Sequence, residues 1–261
     1  MGEIIDQFFS SLSETDSRFL LLDYDGTLAP FKKERNRAYP YKGVVERLDA
    51  LIAAPATGVI IISGRAIADL KPILGLKRCP EIWGSHGWEH LDGDGVYHLR
   101  KGDPESLRRL AGAEKYITDN NLGEYLEKKP ASLAIHFRGV NSDKVLEIRE
   151  KIMHNWKDLT DDSRLLCSEF DGGLELRLPG FNKGDVVRNI LASRPPGLKA
   201  AYLGDDLTDE DAFLALSESD LGVLVRENRR PTAARAWLRP PEELLAFLDR
   251  WISIEKSIRK S

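Results

Sequence analysis

Asp23 and Asp25 stand one residue apart in the run Phe19-Leu20-Leu21-Leu22-Asp23-Tyr24-Asp25-Gly26-Thr27-Leu28. The apolar residues before them read as a buried strand of a parallel sheet, so both carboxylates fall at its exit, just ahead of a glycine. Two like charges this close are costly to bury unless a cation or a reacting group lies between them. The carboxyl ends of strands are also where open α/β sheets bind ligands. The combination points to Mg²⁺-assisted phosphoryl transfer, in which one aspartate attacks phosphorus and the other handles the proton. An acidic surface turn uses the same Asp-Gly chemistry, so the reading depends on what else the chain supplies.

Four further stretches supply it. Ser63-Gly64-Arg65 follows the apolar run Gly58-Val59-Ile60-Ile61-Ile62 and offers a hydroxyl for a phosphoryl oxygen, although a serine there also suits a helix N-cap. Asn182-Lys183-Gly184-Asp185 puts a lysine at a helix start, where the macrodipole disfavours it. Neutralising an aspartate and a transferring phosphoryl group would explain that conflict. Gly204-Asp205-Asp206-Leu207-Thr208-Asp209-Glu210-Asp211 is an acidic cluster at a strand exit. Asp205 suits a Mg²⁺ ligand, Asp206 and Asp209 suit a ligand or its support, and Glu210 and Asp211 suit the first turn of the next helix. Gly84-Ser85-His86-Gly87 offers a histidine in a glycine-rich turn, for substrate or for the loop itself.

The elements that would position these residues alternate. Strand Phe19–Asp23, helix Lys42–Ala53, strand Gly58–Ile62 and helix Ile67–Leu74 predict a parallel sheet with right-handed crossovers. The same grammar returns in strand Ala200–Leu203, helix Glu210–Leu216 and strand Leu221–Val225. A last helix follows Pro240-Pro241, and its stripe of Leu244, Leu245, Phe247, Leu248, Trp251 and Ile252 is predicted to dock on the core. The middle predicts a small α/β unit of its own. It holds a helical stretch Pro104–Glu127 broken near Asn120-Asn121, strand Ser132–Arg138, helix Asp143–Trp156, and a hairpin of Arg164–Phe170 and Leu174–Leu178 across Asp171-Gly172-Gly173. The expected organisation is therefore a Rossmann-like parallel-sheet core over residues 1–100 and 179–261, with an inserted smaller α/β cap over 101–178.

Composition narrows the function. A net charge of −4 with no basic block argues against nucleic acid as partner. No stretch is long and apolar enough to span a membrane, and Met1-Gly2-Glu3-Ile4-Ile5-Asp6 lacks the basic start and long apolar run of a signal peptide. Cys79 and Cys167 are the two cysteines and form no framework, which predicts a cytoplasmic protein.

In their order along the chain, Asp23 to Thr27, Ser63, Lys183 and Gly204 to Asp209 resemble the four signature motifs of the haloacid dehalogenase superfamily. Within it, the chain is similar to the trehalose-6-phosphate phosphatases. The stretches that carry this are Leu22 to Pro30, Ser63-Gly64-Arg65, Gly84 to Gly87, Leu133 to Arg138, Glu175 through Gly184, and Gly204 to Phe213. The resemblance implies that Asp23 is the nucleophile and that Asp25 is the general acid and then the general base. It implies that Mg²⁺ is held by Asp23, the Asp25 carbonyl and Asp205, with Asp206 and Asp209 beside them, and that Ser63 and Lys183 bind the phosphoryl oxygens. Arg65 and His86 are expected near substrate.

The cap would select the sugar. Strand alternation sets Leu133, Ile135 and Phe137 on one face and Ala134, His136 and Arg138 on the other, with Leu174, Leu176 and Leu178 opposite Glu175 and Arg177. By resemblance, Lys128 or Lys129, together with His136, Arg138 and Glu175, contacts a sugar phosphate, and a functional link to a trehalose-6-phosphate synthase follows. The core motifs fit equally a phosphatase for sucrose-, glucosylglycerate- or hexose-phosphate, a phosphotransferase or mutase, or a silent regulatory partner.

Overall fold

The structure, a computed structural model, describes residues 2–258 apart from 33, 171, 194 and 196. The chain forms two compact units, Met1–His98 with Asn182–Ser261, and Leu99–Phe181. The first segment contains α1 (Glu3–Leu12), β1 (Arg18–Leu22), α2 (Val44–Ile52), β2 (Thr57–Ile62), α3 (Ile67–Leu74), β3 (Glu81–Gly84), β4 (Glu89–Leu91) and β5 (Tyr97–Leu99). The second unit contains α4 (Pro104–Asp119), β6 (Leu126–Lys129), β7 (Ser132–His136), α5 (Ser142–Thr160), β8 (Leu166–Phe170) and β9 (Gly173–Arg177). The return segment contains α6 (Lys183–Ala192), β10 (Lys199–Gly204), α7 (Glu210–Leu214), β11 (Leu221–Val225), β12 (Ala236–Leu238) and α8 (Glu242–Ile258).

In the first unit these strands make one sheet in the order β12-β11-β10-β1-β2-β3-β4-β5. Pairing is parallel from β12 to β3 and turns antiparallel at β4. The central strands are nearly continuous apolar runs, as burial on both faces requires. From β1 the chain moves out to β2 and β3 on one side. It returns with β10 on β1's other flank, so the strand order reverses between β1 and β10. Such a switch point opens a crevice at the carboxyl ends of the strands. Register fixes what lines it, because Leu22 pairs with Leu203 and with Ile61 and the next residues out are Asp23, Gly204 and Ile62.

At the amino edge of the same sheet, α8 closes the core against α1. Ile5, Phe8, Phe9 and Leu12 are buried with Leu244, Phe247, Leu248 and Trp251, and the Phe9 and Phe247 rings lie 4.9 Å apart. The patterns above do not include α1, whose buried Ile5, Phe8, Phe9 and Leu12 recur at helical spacing, nor β4, β5 and β12, which at three residues each carry no readable alternation.

In the second unit the order is β6-β7-β9-β8, all antiparallel. Leu133, Ile135, Leu174 and Leu176 are buried on the face that takes α4 and α5, which bring Leu110, Ala113, Ile117, Ile148, Ile152 and Trp156. The helix expected as far as Glu127 stops at Asp119. Asn121 sits at φ 58°, a left-handed turn that an asparagine tolerates, and residues 126–129 pair as a strand instead. Phe137, Arg138 and Leu178 fall just beyond their strands, so the alternation expected for them does not extend that far. Of the expected turn Asp171-Gly172-Gly173, Asp171 lies outside the described residues, while Gly172 has φ +88°. Among the described residues no helix is long and apolar enough to cross a membrane.

Candidate active site

The crevice between β1 and β10 collects side chains from four strand ends and one helix start. Asp23 leaves β1 with its N–H donating to the Leu203 carbonyl at 2.9 Å, which ties the two strand tips together. Its carboxylate is buried. Oδ2 accepts from Thr27 Oγ1 at 3.1 Å, and Oδ1 accepts from Lys183 Nζ at 2.6 Å. Lys183 is itself buried, at the first position of α6, behind a capping box made by Asn182 and Asp185. Its ammonium also donates to Asp209 Oδ1 at 2.7 Å. Gly184 is required beside it, because a Cβ there would come within 2.4 Å of the Asp211 carbonyl oxygen.

Asp209 is fully buried and saturated. Oδ1 accepts from Lys183 and from Tyr202 O–H at 2.5 Å, and Oδ2 accepts from the backbone N–H groups of Asp205 and Asp206, each at 3.0 Å. Four donors leave no lone pair open, so Asp209 supports the loop and does not offer itself as a metal ligand. Asp206 is not among the carboxylates that converge in the crevice, and it joins Asp209 in a capping box at the short turn Leu207–Asp209. These two are the parts of the expected ligand set that the geometry does not bring forward.

Asp205 differs. It is 2% exposed, and among the described residues nothing donates a hydrogen bond to its carboxylate. One oxygen from each of Asp23, Asp205 and Asp209 lies within 4.8 Å of the others. Three buried carboxylates thus face one ammonium. Burial, followed by repulsion from Asp23 and Asp209, pushes the Asp205 carboxyl well above the usual range. Burial likewise lifts Asp23 to about 7, although Lys183 pulls it back. Asp209 goes the other way. Burial opposes its charge, but the Lys183 ammonium and the hydrogen bonds from Lys183 and Tyr202 hold it below the usual range. Lys183 stays charged, because Asp209 and Asp23 outweigh the cost of its burial and raise it. An orphaned buried carboxylate beside a second one with a single cation fits a divalent metal, whose preferred ligands are carboxylate oxygens. Gly26 permits the approach, since a Cβ at its φ of +80° would lie 2.1 Å from Asp205 Oδ2.

On the β2 side, Ser63 is buried and its Oγ accepts from Arg65 N–H at 3.1 Å, leaving its own proton to donate. Arg65 is 3% exposed and does not reach outward for substrate as expected. Its Nε and Nη2 grip the two oxygens of Asp25, each at 2.6 Å, and Nη1 donates to the Arg35 carbonyl at 2.9 Å. A planar fork matched to a carboxylate makes this a holding contact for Asp25. His86, at φ 55°, donates its N–H to the Ser63 carbonyl at 3.0 Å and lays its ring on Gly64, where a Cβ would meet Nε2 at 2.6 Å.

In the second unit, register separates the two lysines. Lys128 pairs with Leu133, hence lies on the helix-covered face, and reaches Glu114 of α4 at 2.8 Å. Its expected role as a sugar contact is corrected accordingly. Lys129 pairs with Ser132, on the face of Glu127, His136 and Glu175. There Glu175 Oε1 accepts from Lys129 Nζ at 2.9 Å and from Ser132 Oγ at 2.8 Å, and His136 Nε2 lies 2.8 Å from Glu127 Oε2. Arg138 lies beyond β7, its side chain against Gly172. Glu127 is the member of this group that alternation along a single strand did not single out. Its pairing with Ala134 places it.

A family profile described as trehalose-phosphatase matches residues 21–239. A trehalose-phosphate phosphatase of Mycobacterium marinum is 32% identical over 247 residues, covering 90% of this chain and 61% of that protein. The chain thus spans about three-fifths of the length of this curated relative. Among solved structures, the C-terminal domain of the C. albicans trehalose-6-phosphate phosphatase superposes with a TM-score of 0.80 at 25% identity, covering 95% of this chain and 96% of that one. A haloacid dehalogenase-like hydrolase of B. subtilis shares the fold, with a TM-score of 0.60 at 14% identity, covering 89% of this chain and 99% of that one.

Proposed function

Since the chain belongs to the trehalose-phosphatase family, we propose that it is a Mg²⁺-dependent phosphatase that hydrolyses trehalose 6-phosphate to trehalose and phosphate. The observation that carries this reading is the unbalanced cluster at the strand ends, Asp23, Asp205 and Asp209 against Lys183. Asp23, the Asp25 carbonyl and Asp205 would hold Mg²⁺, which when bound neutralises the carboxylates and the incoming dianion.

The residues of the chain do the rest. Asp23 attacks phosphorus in line. The new bond runs from its carboxylate oxygen to phosphorus, and the bond from phosphorus to the sugar oxygen breaks. Lys183, kept cationic by its two carboxylates, and Ser63, with a proton to give, bind the equatorial phosphoryl oxygens. Asp25 protonates the departing sugar oxygen. It then takes a proton from the water that attacks the aspartyl-phosphate and frees Asp23. Lys129, His136, Arg138 and Glu175 select the sugar, with donors and acceptors already polarised by one another. The products are free trehalose and phosphate, and a trehalose-6-phosphate synthase in the cytoplasm is the natural supplier of the substrate.

Phosphate release from a panel of disaccharide and monosaccharide phosphates tests this. The expected result is a large kcat/KM preference for trehalose 6-phosphate, loss of turnover in EDTA, and a fall on the order of 10⁴-fold or more in Asp23→Asn. Equal rates across the panel would remove the sugar assignment, and full activity after exhaustive chelation would remove the mechanism.

A further inference from the structure

Asp205 is buried with no hydrogen-bond donor on its carboxylate among the described residues, so its backbone, with the packing of Gly26, decides where it points. We propose that Arg230 is a positioning residue that holds this backbone, with Glu210 as its anchor. The inference rests on the assignment of Asp205 as a metal ligand.

The peptide 205–206 is pinned from both sides. Its N–H groups donate to Asp209 Oδ2. On the carbonyl side, Asp205 O accepts from Arg230 Nε and Nη2 and from Arg226 Nη1, each at 3.4 Å, and Asp206 O accepts from Arg230 Nη2 at 2.7 Å. Arg230 is in turn immobilised. Nη1 donates to the Pro231 carbonyl at 2.8 Å and pairs with Glu210, whose carboxylate also accepts from Thr232 Oγ1 at 2.9 Å and Ala233 N–H at 2.7 Å. The loop after β10 is thereby stapled to the segment after β11.

The choice of partner atoms is what matters. Lys183 spends its charge on carboxylates, whereas Arg230 spends its own on carbonyls and on Glu210 and leaves the Asp205 charge intact for a cation. The tolerance is small, because Gly26 packs so closely on Asp205 Oδ2 that even a Cβ would collide. A lysine carries the charge but not the planar fork that spans three carbonyls and a carboxylate.

Mn²⁺ titrated into the full chain without substrate, followed by water-proton relaxation, tests this directly. Arg230→Met is expected to weaken Mn²⁺ binding roughly 10- to 100-fold, as loss of groups that orient metal ligands does. Arg230→Lys should fall between it and the natural protein, and activity lost at low Mg²⁺ should return as Mg²⁺ is raised. Melting in EDTA shows whether each variant is folded. If Arg230→Met is not, Glu210→Gln is read in its place, with a smaller loss expected. Mn²⁺ affinity within about twofold of the natural protein in the folded variant overturns the role of Arg230, since loss of such groups costs far more. Asp205→Asn separates the two levels. If it keeps full Mn²⁺ affinity, the metal assignment itself fails. If it loses affinity while Arg230→Met does not, the positioning role alone fails.

Discussion

β1 carries buried charge at both ends, and the two ends are built differently. At its start, Arg18 is fully buried. Its Nη1 lies 2.7 Å from Glu255 Oε1, and that oxygen also accepts from Thr57 Oγ1 at 2.5 Å. Trp251 Nε1 donates to Thr57 Oγ1 at 2.9 Å, and Arg18 Nη2 donates to the Thr15 carbonyl. One cation meets one anion, and neighbours take up most of what is left. Just past the other end, Asp23, Asp205 and Asp209 share the single ammonium of Lys183. Burial costs a charge its hydration at either end. The amino end recovers it internally apart from Arg18 Nε, whereas at the carboxyl end Asp209 recovers it and Asp205 does not. The deficit at the carboxyl end leaves a place for a cation and a phosphoryl group, so charge balance distinguishes the structural end of the strand from the reactive one.

Breaking the balanced end should have the largest effect on stability. Arg18→Met leaves Glu255 buried without its cation, which costs about 3–5 kcal/mol. A melting temperature lower by roughly 10 °C is expected, with turnover unchanged at temperatures where the variant is folded. Adding Glu255→Leu should restore most of the loss, because an apolar pair of similar volume often matches a buried ion pair. If the double variant stays as unstable as the single, the two residues do not act as a pair.

Asp209 sharpens the contrast. It stands among the reactive carboxylates but is built like the amino end, with every lone pair occupied. Tyr202→Phe removes one of its two Oδ1 donors and leaves Lys183 in place. Loss of a hydrogen bond to a buried charge should cost about 2 kcal/mol in urea unfolding. The accompanying loss of kcat should be modest, about tenfold or less, because Lys183 stays fixed by Asp23. A loss of kcat as deep as that of Asp23→Asn would instead make Asp209 part of the chemistry.

The sequence discloses this asymmetry only in part. Asp23, Ser63 and Asp205 are readable because each follows an uninterrupted apolar run, and a polar residue at the tip of a buried strand is a local signal. Lys183 is readable from its conflict with the helix dipole. What stays hidden depends on partners far away in the chain. Arg18 and Glu255 are separated by 237 positions, and a charge at a strand start looks like surface until the fold joins them. Arg65 is conspicuous next to Ser63, but nothing local says that its fork is taken by Asp25, 40 residues earlier. Whether Lys128 or Lys129 joins Glu175 is decided by the register of β6 on β7, a strand too short and too charged to announce itself. Arg230 lies outside every motif, and only the structure links it to the Asp205 loop.

The unbalanced end also predicts a gain in stability on mutation. In EDTA, Asp23 and Asp205 both have carboxyl groups raised by burial, Asp23 to about 7. A carboxyl that binds its proton more tightly when folded stabilises the fold at low pH. That contribution disappears as pH rises from the ordinary carboxylate range, about 4, through the raised value. The metal-free protein should therefore lose stability between about pH 4 and pH 7, and saturating Mg²⁺ should offset the loss by binding only the folded state. Asp205→Asn keeps the size of the side chain and removes one of the opposed charges. It should flatten the pH dependence in EDTA, raise stability at pH 7.5 by about 1 kcal/mol as relief of strain at a reactive site commonly does, and abolish turnover. Natural protein and variant with the same melting curve from pH 5 to pH 7.5 in EDTA would mean that the carboxylates at this edge are compensated after all, and the contrast between the two ends of β1 would no longer stand.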